Sequence, residues 1–271
     1  MFLVDGKTYW PLYVDGEIAR TTIIGLGSVA YVLPAGPDAV LKIPALREGL
    51  EESLSPADYE DYRREVVESI EEEKAVYRRL DQVAGVARCL EIVPRGIKLE
   101  YFPRGCLHEY IAFQAEAGLN IKKRWILEIL NTVRGCHEAG VLNFDIQLRN
   151  LMIAEDSTLR MIDFGYIAMF PKGTNMESAV DPDGEDISLE LFILGNVIYS
   201  ISAWTPYIND KVGGCFGWPD RASLPSTTGL PYGTLVEACW RGQYRNIEMP
   251  IRDLLRARSR RKSKARLRAR L

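Results

Sequence analysis

The stretch that most constrains this chain is a short segment with acidic and amide side chains gathered at one end. Two apolar runs, Leu151–Ile153 and Leu159–Ile162, flank a polar segment, a pattern that predicts a β-hairpin. Pairing of the two strands places Asn150 next to Asp163, and Asp145 lies five residues before Asn150 in the same loop. Carboxylate and amide oxygens suit Mg²⁺, which usually also bridges phosphates of a substrate. The sequence therefore predicts a magnesium-binding end of a hairpin, although Asp and Asn are also common in ordinary turns.

The spacing of these residues resembles a known pair of motifs. Asp145 and Asn150, followed by Ile162-Asp163-Phe164-Gly165, resemble the catalytic loop and the metal-binding Asp-Phe-Gly segment of eukaryotic protein kinases. The resemblance implies that Asp145 accepts the proton of an attacking hydroxyl, and that Asn150 and Asp163 bind Mg²⁺ beside ATP.

The resemblance also implies a fold. We expect an α+β, bilobal protein-kinase-like fold, with a small antiparallel β-sheet lobe and a mainly helical lobe. The predicted boundaries are a nucleotide-binding lobe over residues 1–102, a helical lobe over 103–255 and a basic tail over 256–271. The resemblance extends over about residues 17–255.

A glycine-containing turn supports this interpretation. The segment Gly25–Val32, GLGSVAYV, resembles the kinase glycine-rich loop, with Ala30 in place of the third glycine. Glycines allow backbone N–H groups to approach phosphate oxygens closely. By resemblance the nucleotide contacts of this loop are Gly25, Gly27, Ser28 and Val32. Glycines also mark many hairpin turns, so the loop alone is weak evidence.

A lysine and a glutamate are predicted to pair. Lys42, in Val40-Leu41-Lys42-Ile43, resembles the lysine of the kinase β3 strand, although a strand lysine can also simply face solvent. Ser55 and the following residues predict a helix start, and the helix is predicted to run to about Leu80. Glu73 falls within the apolar stripe of that helix, where a carboxylate needs a cation partner. We expect Lys42 to be that partner, and the neighbouring Glu71 and Glu72 to be solvated.

Further strands and a nucleotide-contacting segment follow from alternating apolar residues. The predicted strands are about Ile18–Leu26, Ser28–Leu33, Ala39–Ile43, 87–93 and 96–102. The last strand resembles the kinase hinge. This resemblance implies that Leu99 is the gatekeeper and that backbone groups of Glu100 and Phe102 contact adenine.

The second half departs from the kinase pattern at several positions. An amphipathic helix is predicted from a cap at Asn120 to Gly140. The loop then reads Asn143-Phe144-Asp145 in place of His-Arg-Asp, and Gln147 replaces a common lysine. Phe144 cannot pair with a phosphate, so we expect no activation by phosphorylation of the 166–186 segment, which has no Ala-Pro-Glu.

Two other segments are predicted to be structural. Glu190–Gly195 resembles the opening of the central helix of the large kinase lobe, with Glu in place of Asp. The segment around Cys239 and Trp240 resembles small fungal kinase-like proteins. We assign packing roles to both segments, and no catalytic role to His108 or His137.

Charge and cysteine content indicate possible binding partners and the cellular compartment. Residues 256–271 hold nine Arg or Lys, and removing them from the net charge of −3 leaves −12. The tail therefore suits a polyanion or an import receptor, or simple solubilisation. The scattered cysteines predict an intracellular, cytoplasmic or nuclear protein, and we expect no signal peptide and no membrane span.

We conclude from the sequence that the chain resembles an ATP- and Mg²⁺-dependent protein kinase that acts on a protein hydroxyl. Two alternatives remain at this stage, a small-molecule kinase on the same fold and a non-catalytic pseudokinase that serves as an interaction module. The identity of the acceptor and the role of the acidic insertion over about residues 45–55 are left open by the sequence.

Overall fold

The computed structural model describes residues 2–4, 7–14, 17–46, 52–209 and 218–256, with side chains described from residue 23 onward. The chain forms two compact units: Met1–Asp81 with Ala87–Phe102, and Gln82–Val86 with Pro103–Leu271. The first is built on an antiparallel five-stranded sheet and the second is mainly helical. The predicted fold class is thereby confirmed.

The described strands of the first unit form two sheets. The strands are β1 (Phe2–Val4), β2 (Lys7–Val14), β3 (Glu17–Thr22), β4 (Gly25–Leu26), β5 (Ala30–Pro34), β6 (Ala39–Pro44), β7 (Cys89–Val93) and β8 (Gly96–Glu100). The first three make a small sheet of their own, and the other five follow the order β4-β5-β6-β8-β7.

The single strand predicted over Ile18–Leu26 is wrong. The chain forms two strands there, in different sheets, because β3 pairs with the upstream β2 whereas Gly25 pairs with Val32 on β5. The prediction did not include β2, so it had no reason to end the strand at Thr22.

Helix α1 (Pro56–Leu80) begins as the sequence predicts. The Ser55 side chain accepts a hydrogen bond from the backbone N–H of Asp58, and Pro56 occupies the first helical position. Its buried side chains include Val66, Ile70 and Glu73. The face of α1 that packs on β6, β7 and β8 therefore includes a carboxylate among apolar residues.

The helices of the second unit include α2 (Leu107–Phe113), α3 (Leu119–Glu138), α4 (Ile187–Ala203) and α5 (Gly233–Trp240). Residues 248–256 are also helical. The cap predicted at Asn120 is wrong, because the N-cap is Gly118, whose carbonyl accepts hydrogen bonds from the N–H groups of Ile121 and Lys122. Asn120 lies inside the first turn.

Two strand pairs accompany these helices. The predicted hairpin is confirmed as β10 (Leu151–Ile153) and β11 (Leu159–Met161), which pair antiparallel. A second pair joins β9 (Val141–Asn143) to β12 (Ile167–Met169). The short loop Phe144–Asn150 thus connects β9 to β10, and both of its ends are held in sheets.

Helix α4 forms the centre of the second unit. Thirteen of its residues are buried, as expected for a helix that is apolar on most sides. A Cβ atom at Gly195 would lie 2.8 Å from Trp240 Cδ1, so glycine permits the close packing of α4 on α5. Trp240 Nε1 also donates to Asn196 Oδ1 at 2.9 Å, which satisfies both polar groups inside the core.

Some sequence predictions lie outside the described residues. These are the basic tail beyond Arg256, residues 47–51 of the acidic insertion, and Cys215. The described cysteines Cys89, Cys106, Cys136 and Cys239 are free thiols. Within the described ranges, no helix combines the length and apolarity needed to cross a bilayer.

Candidate functional site

Lys42 and Glu73 form a buried ion pair in the first unit. Lys42 lies on β6 and Glu73 on α1, and the Lys42 Nζ atom is 2.8 Å from Glu73 Oε1 and 2.7 Å from Oε2. Lys42 is 7% exposed and Glu73 2% exposed. Glu71 and Glu72 are exposed, as predicted. The sequence argument that a core-facing carboxylate needs a cation partner therefore identified the correct pair.

Close strand packing at Gly96 and a hydrogen bond of Lys74 hold the backbone around this pair. A Cβ at Gly96 would lie 2.4 Å from the Lys42 carbonyl oxygen, so β8 approaches β6 more closely than another residue would allow. Lys74, next to Glu73, is 2% exposed and its Nζ donates to the Pro94 carbonyl at 2.9 Å. Lys74 thereby joins α1 to the turn between β7 and β8. This contact was not predicted from the sequence, because its two partners lie 20 residues apart on different elements.

The glycine-containing turn between β4 and β5 is tight. Gly27 N–H donates to the Ala30 carbonyl at 2.8 Å, which closes the turn around Ser28. Gly25 faces Val32 across the strand pair, and a Cβ at Gly25 would lie 3.1 Å from Val32 Cβ. The four predicted loop residues therefore belong to one hairpin end.

The predicted hinge residues lie at the end of β8. Leu99 is 5% exposed and Phe102 6% exposed, so both side chains belong to the core. The Glu100 N–H donates to the Arg88 carbonyl at 3.1 Å, and the Glu100 carboxylate accepts from the Arg88 N–H at 2.8 Å and from Arg88 Nε at 3.1 Å. These bonds hold the backbone of this segment in a defined register.

In the second unit, Asp145 is held by amide groups. Asn150 Nδ2 donates to the Asp145 carbonyl at 3.0 Å and to Asp145 Oδ2 at 2.8 Å. Gln147 Nε2 donates to the other carboxylate oxygen, Oδ1. The Asp145 N–H in turn donates to Asn143 Oδ1 at 2.8 Å. The carboxylate is therefore oriented by two amides that follow it in the loop, and the backbone of Asp145 is held by Asn143 at the end of β9.

The hairpin brings Asn150 and Asp163 together as the sequence predicts. The Ile162 N–H donates to the Asn150 carbonyl at 2.9 Å, which joins the ends of the two strands. Asp163 has a φ of 63°, a left-handed conformation that is uncommon for a residue other than glycine. Such strain is more frequent at functional positions.

The Asp145 carboxyl has a raised pKa. The main cause is burial, and the negative charge of Asp163 adds to it. The Asn150 amide, the Arg149 guanidinium and the Gln147 amide act in the opposite direction. The balance places Asp145 among groups whose proton affinity is increased by their surroundings, a property that is frequent among acid–base residues.

A buried network behind the loop was missed by the sequence analysis. Glu190 on α4 is fully buried, its Oε1 accepts from the Asn143 N–H at 2.8 Å, and its Oε2 contacts His137 Nε2. Because Asn143 also accepts from the Asp145 N–H, the network extends from α3 and α4 to the backbone of Asp145. A carboxylate on an otherwise apolar helix was the available signal.

Phe144 occupies an apolar position in the same loop. It is 4% exposed, its ring centroid is 5.4 Å from that of Tyr166, and its N–H donates to the Tyr166 carbonyl at 2.9 Å. The ring is thus buried against the residue that follows Asp163-Phe164-Gly165, and it brings no charge to this position.

The chain was also compared with known protein families and with individual proteins. A family described as Protein kinase domain matches residues 21–182. The chain is 27% identical over 161 residues to CBL-interacting serine/threonine-protein kinase 16 of Arabidopsis thaliana, covering 56% of this chain and 32% of that protein. It is 23% identical over 152 residues to serine/threonine-protein kinase kin-29 of Caenorhabditis elegans, covering 51% of this chain and 18% of that protein.

A third relative matches over fewer residues but with a higher identity. The chain is 46% identical over 44 residues to cyclin-dependent kinase F-1 of rice, covering 16% of this chain and 9% of that protein. The matches to these three relatives therefore span about a third or less of the relatives' own lengths.

Proposed function

The chain belongs to the protein kinase family, and we propose that it transfers the γ-phosphate of ATP to a hydroxyl group of a protein. Phosphoryl transfer in this family depends on neutralisation of phosphate charge by a lysine, which a glutamate orients, and by Mg²⁺, and on positioning of the acceptor by a loop aspartate. We assign the lysine, the glutamate and the aspartate to Lys42, Glu73 and Asp145, and the binding of Mg²⁺ to Asn150 and Asp163.

The observation that best supports the proposal is the Lys42–Glu73 ion pair. Two charges are buried together, an arrangement that costs desolvation energy and adds little stability compared with apolar packing. A binding role gives a reason for the pair. Glu73 orients the Lys42 ammonium, which then binds the α- and β-phosphates of ATP.

The residues at the hairpin end fit Mg²⁺. Asn150 uses its Nδ2 group for Asp145, which leaves its Oδ1 atom as the side chain's acceptor, and Asp163 adds a carboxylate. Mg²⁺ is usually bound by one or two protein oxygens, with waters and phosphates completing its coordination. The described residues contain no cluster of three or more His, Cys, Asp or Glu that could hold a metal.

Asp145 would act on the acceptor. Its carboxylate is oriented by Asn150 and Gln147, and its raised pKa makes it a stronger base than an ordinary aspartate. We assign it the role of orienting the acceptor hydroxyl and of accepting its proton.

The nucleotide contacts follow from the strand ends of the first unit. The loop of Gly25, Gly27, Ser28 and Val32 would cover the phosphates. Leu99 would limit access beside the adenine. Because the Glu100 N–H is bonded to Arg88, the adenine contact of Glu100 would use its carbonyl oxygen.

The decisive test is transfer from γ-labelled ATP by the full chain in the presence of Mg²⁺, with a panel of serine, threonine and tyrosine peptides and a panel of hydroxylated metabolites. We expect labelled peptides. Labelled metabolites without labelled peptides would support a small-molecule kinase instead, and binding of Mg·ATP with no transfer to any acceptor would support a pseudokinase.

Two finer predictions remain proposals. The segment around Cys239 and Trp240 would place the chain near small fungal kinase-like proteins, whereas the relatives reported above are from plants and an animal. The basic tail would bind a polyanion or an import receptor, because its charge density suits either. Localisation of the chain with and without residues 256–271 tests the import idea.

A further inference from the structure

An acidic stretch of chain leads into α4 in the second unit. Residues 173–209 contain six Asp or Glu and no Lys or Arg, and four of these carboxylates lie in residues 181–186, which form the acidic segment. The segment lies close to Asp145, because Leu189, one turn of α4 after its cap Asp186, lines the same cavity as Asp145. Negative charge therefore borders the site proposed for phosphoryl transfer.

The acidic segment forms a loop that is closed by its own hydrogen bonds. Asp181 Oδ1 accepts from the Asp183 N–H at 2.9 Å and from the Glu185 N–H at 2.8 Å. The Asp181 N–H donates to the Glu185 carbonyl at 2.9 Å. Asp186 Oδ1 accepts from the Ser188 N–H at 2.7 Å and so caps α4. The carboxylates of Asp181 and Asp186 therefore stabilise the loop and the helix start.

Glu185 is a buried carboxylate of this loop. The residue is 7% exposed, and its hydrogen bonds to other described residues are made by its backbone N–H and carbonyl groups and not by its carboxylate. A buried carboxylate that lacks a cation is costly, and the same argument identified the partner of Glu73. Glu185 therefore marks a position at which a lysine or arginine from another segment would offset this cost.

The chain itself contains a segment of the opposite charge. Residues 257–271, which lie outside the described residues, hold eight Arg or Lys and no Asp or Glu. Two serines lie among these charges, Ser259 in the sequence Arg-Ser-Arg and Ser263 in the sequence Lys-Ser-Lys. Fifteen residues span up to about 50 Å when they are extended. Charge and length both suit this segment to binding at Glu185.

We propose that residues 257–271 bind to the acidic segment through an ion pair with Glu185, and that Ser259 and Ser263 accept the phosphoryl group. The proposal rests on the function proposed above. In each transfer the serine Oγ forms a bond to the γ-phosphorus of ATP. The bond from that phosphorus to the β,γ-bridging oxygen breaks, and ADP leaves with the electron pair. The hydroxyl proton passes to the Asp145 carboxylate.

The first experiment incubates the dephosphorylated full chain with Mg²⁺, γ-labelled ATP and a neutral serine peptide, and locates the label by mass spectrometry. We expect label at Ser259 and Ser263. The matched control is Ser226→Ala, which removes an exposed serine that has no charged neighbour in sequence and should leave this label unchanged. Label on the peptide with none on Ser259 or Ser263 would overturn the inference and leave the proposed function standing. Transfer to no acceptor would overturn both.

The second experiment changes the proposed binding position. Glu185→Gln should lower the initial rate of phosphorylation at Ser259 and Ser263 by about 10-fold or more, because it removes one partner of a buried charge pair. Transfer to the neutral peptide should change much less. Glu155→Gln, on the exposed Glu155 of the turn between β10 and β11, is the control for loss of a negative charge. Equal losses for the serines and the peptide in Glu185→Gln would contradict a binding position for a cation.

A third measurement covers the case in which Glu185→Gln does not fold. The variant with Lys262→Gln and Lys264→Gln leaves Glu185 intact and removes the basic neighbours of Ser263. Phosphorylation of Ser263 should fall by about 10-fold. High salt should slow the wild type, because the Debye length falls from about 10 Å at 0.1 M to about 3 Å at 1 M. An unchanged rate at Ser263, both in the variant and at high salt, would overturn the proposal.

Discussion

Lys42 and Glu73 should be strongly coupled in their contributions to the free energy of unfolding. Lys42→Met removes the cation and leaves Glu73, which is 2% exposed, as a buried carboxylate without its lysine. Loss of one member of a buried pair typically costs about 3–5 kcal/mol. The same range applies to Glu73→Leu, which leaves the Lys42 ammonium without its carboxylate.

The double variant should recover most of this loss. Replacing both charges with apolar side chains of similar size is often neutral or stabilising, so Lys42→Met with Glu73→Leu should unfold within about 2 kcal/mol of the wild type. The resulting double-mutant cycle gives a coupling free energy of about 4 kcal/mol or more, above the usual range for a surface pair.

Equilibrium urea unfolding of the four proteins measures the cycle, and Lys98→Met on the neighbouring strand β8 is the matched single-site control. Additive losses, with no coupling between the two positions, would show that the pair is not the interaction that the structure describes.

The pH dependence of the free energy of unfolding gives a second test of the pair in Lys42→Met. Burial without a cation raises the pKa of the Glu73 carboxyl in the folded variant above its unfolded value of about 4.3. The folded variant then holds its proton more tightly than the unfolded chain. Its stability should therefore fall, relative to the wild type, as the pH rises from about 4.3 through the raised folded pKa.

Three further predictions concern packing and reactivity. Gly96→Ala should lower the free energy of unfolding by about 1–3 kcal/mol and weaken Mg·ATP binding, because the added Cβ would lie 2.4 Å from the Lys42 carbonyl oxygen. The control is Gly118→Ala, which has open space at that position and should bind Mg·ATP normally. Phe144→Arg should lower the melting temperature because it places a charge at a 4% exposed site. Phosphatase treatment of the wild type should leave its activity unchanged, and a loss of activity would contradict the prediction that Phe144 replaces a phosphate-binding arginine. Burial raises the pKa of the Cys239 thiol to about 12, so iodoacetamide at pH 8 should modify Cys239 only after unfolding, and modification of the native protein, detected by peptide mass, would contradict this environment.

Local patterns predicted the parts of the site that lie close together in sequence. The hairpin and the approach of Asn150 to Asp163 follow from two apolar runs and a polar turn, and β10 and β11 pair as expected. Glu73 was identified because its position in the helical stripe of α1 required a partner. These predictions succeeded because periodicity and burial of charge act within one element or between two adjacent ones.

Contacts between distant segments were not predictable in this way. The sequence gives no reason for Lys74 to reach the Pro94 carbonyl, or for Glu190 to contact both His137 and the Asn143 N–H. The cap at Gly118 was also missed, because its contribution is made by its backbone carbonyl and not by a side chain. Each of these features depends on which elements pack together, which local propensity does not determine.

The most direct test of the account is single-turnover transfer of labelled γ-phosphate by Asp145→Asn, measured together with its affinity for Mg·ATP. The matched control is Asp156→Asn, in the turn between β10 and β11, where Asp156 accepts hydrogen bonds from Thr158. We expect Asp145→Asn to bind Mg·ATP as the wild type does and to lose at least about 100-fold in transfer rate, with Asp156→Asn unaffected. Transfer at the wild-type rate by Asp145→Asn would contradict the central claim that this carboxylate acts on the acceptor hydroxyl.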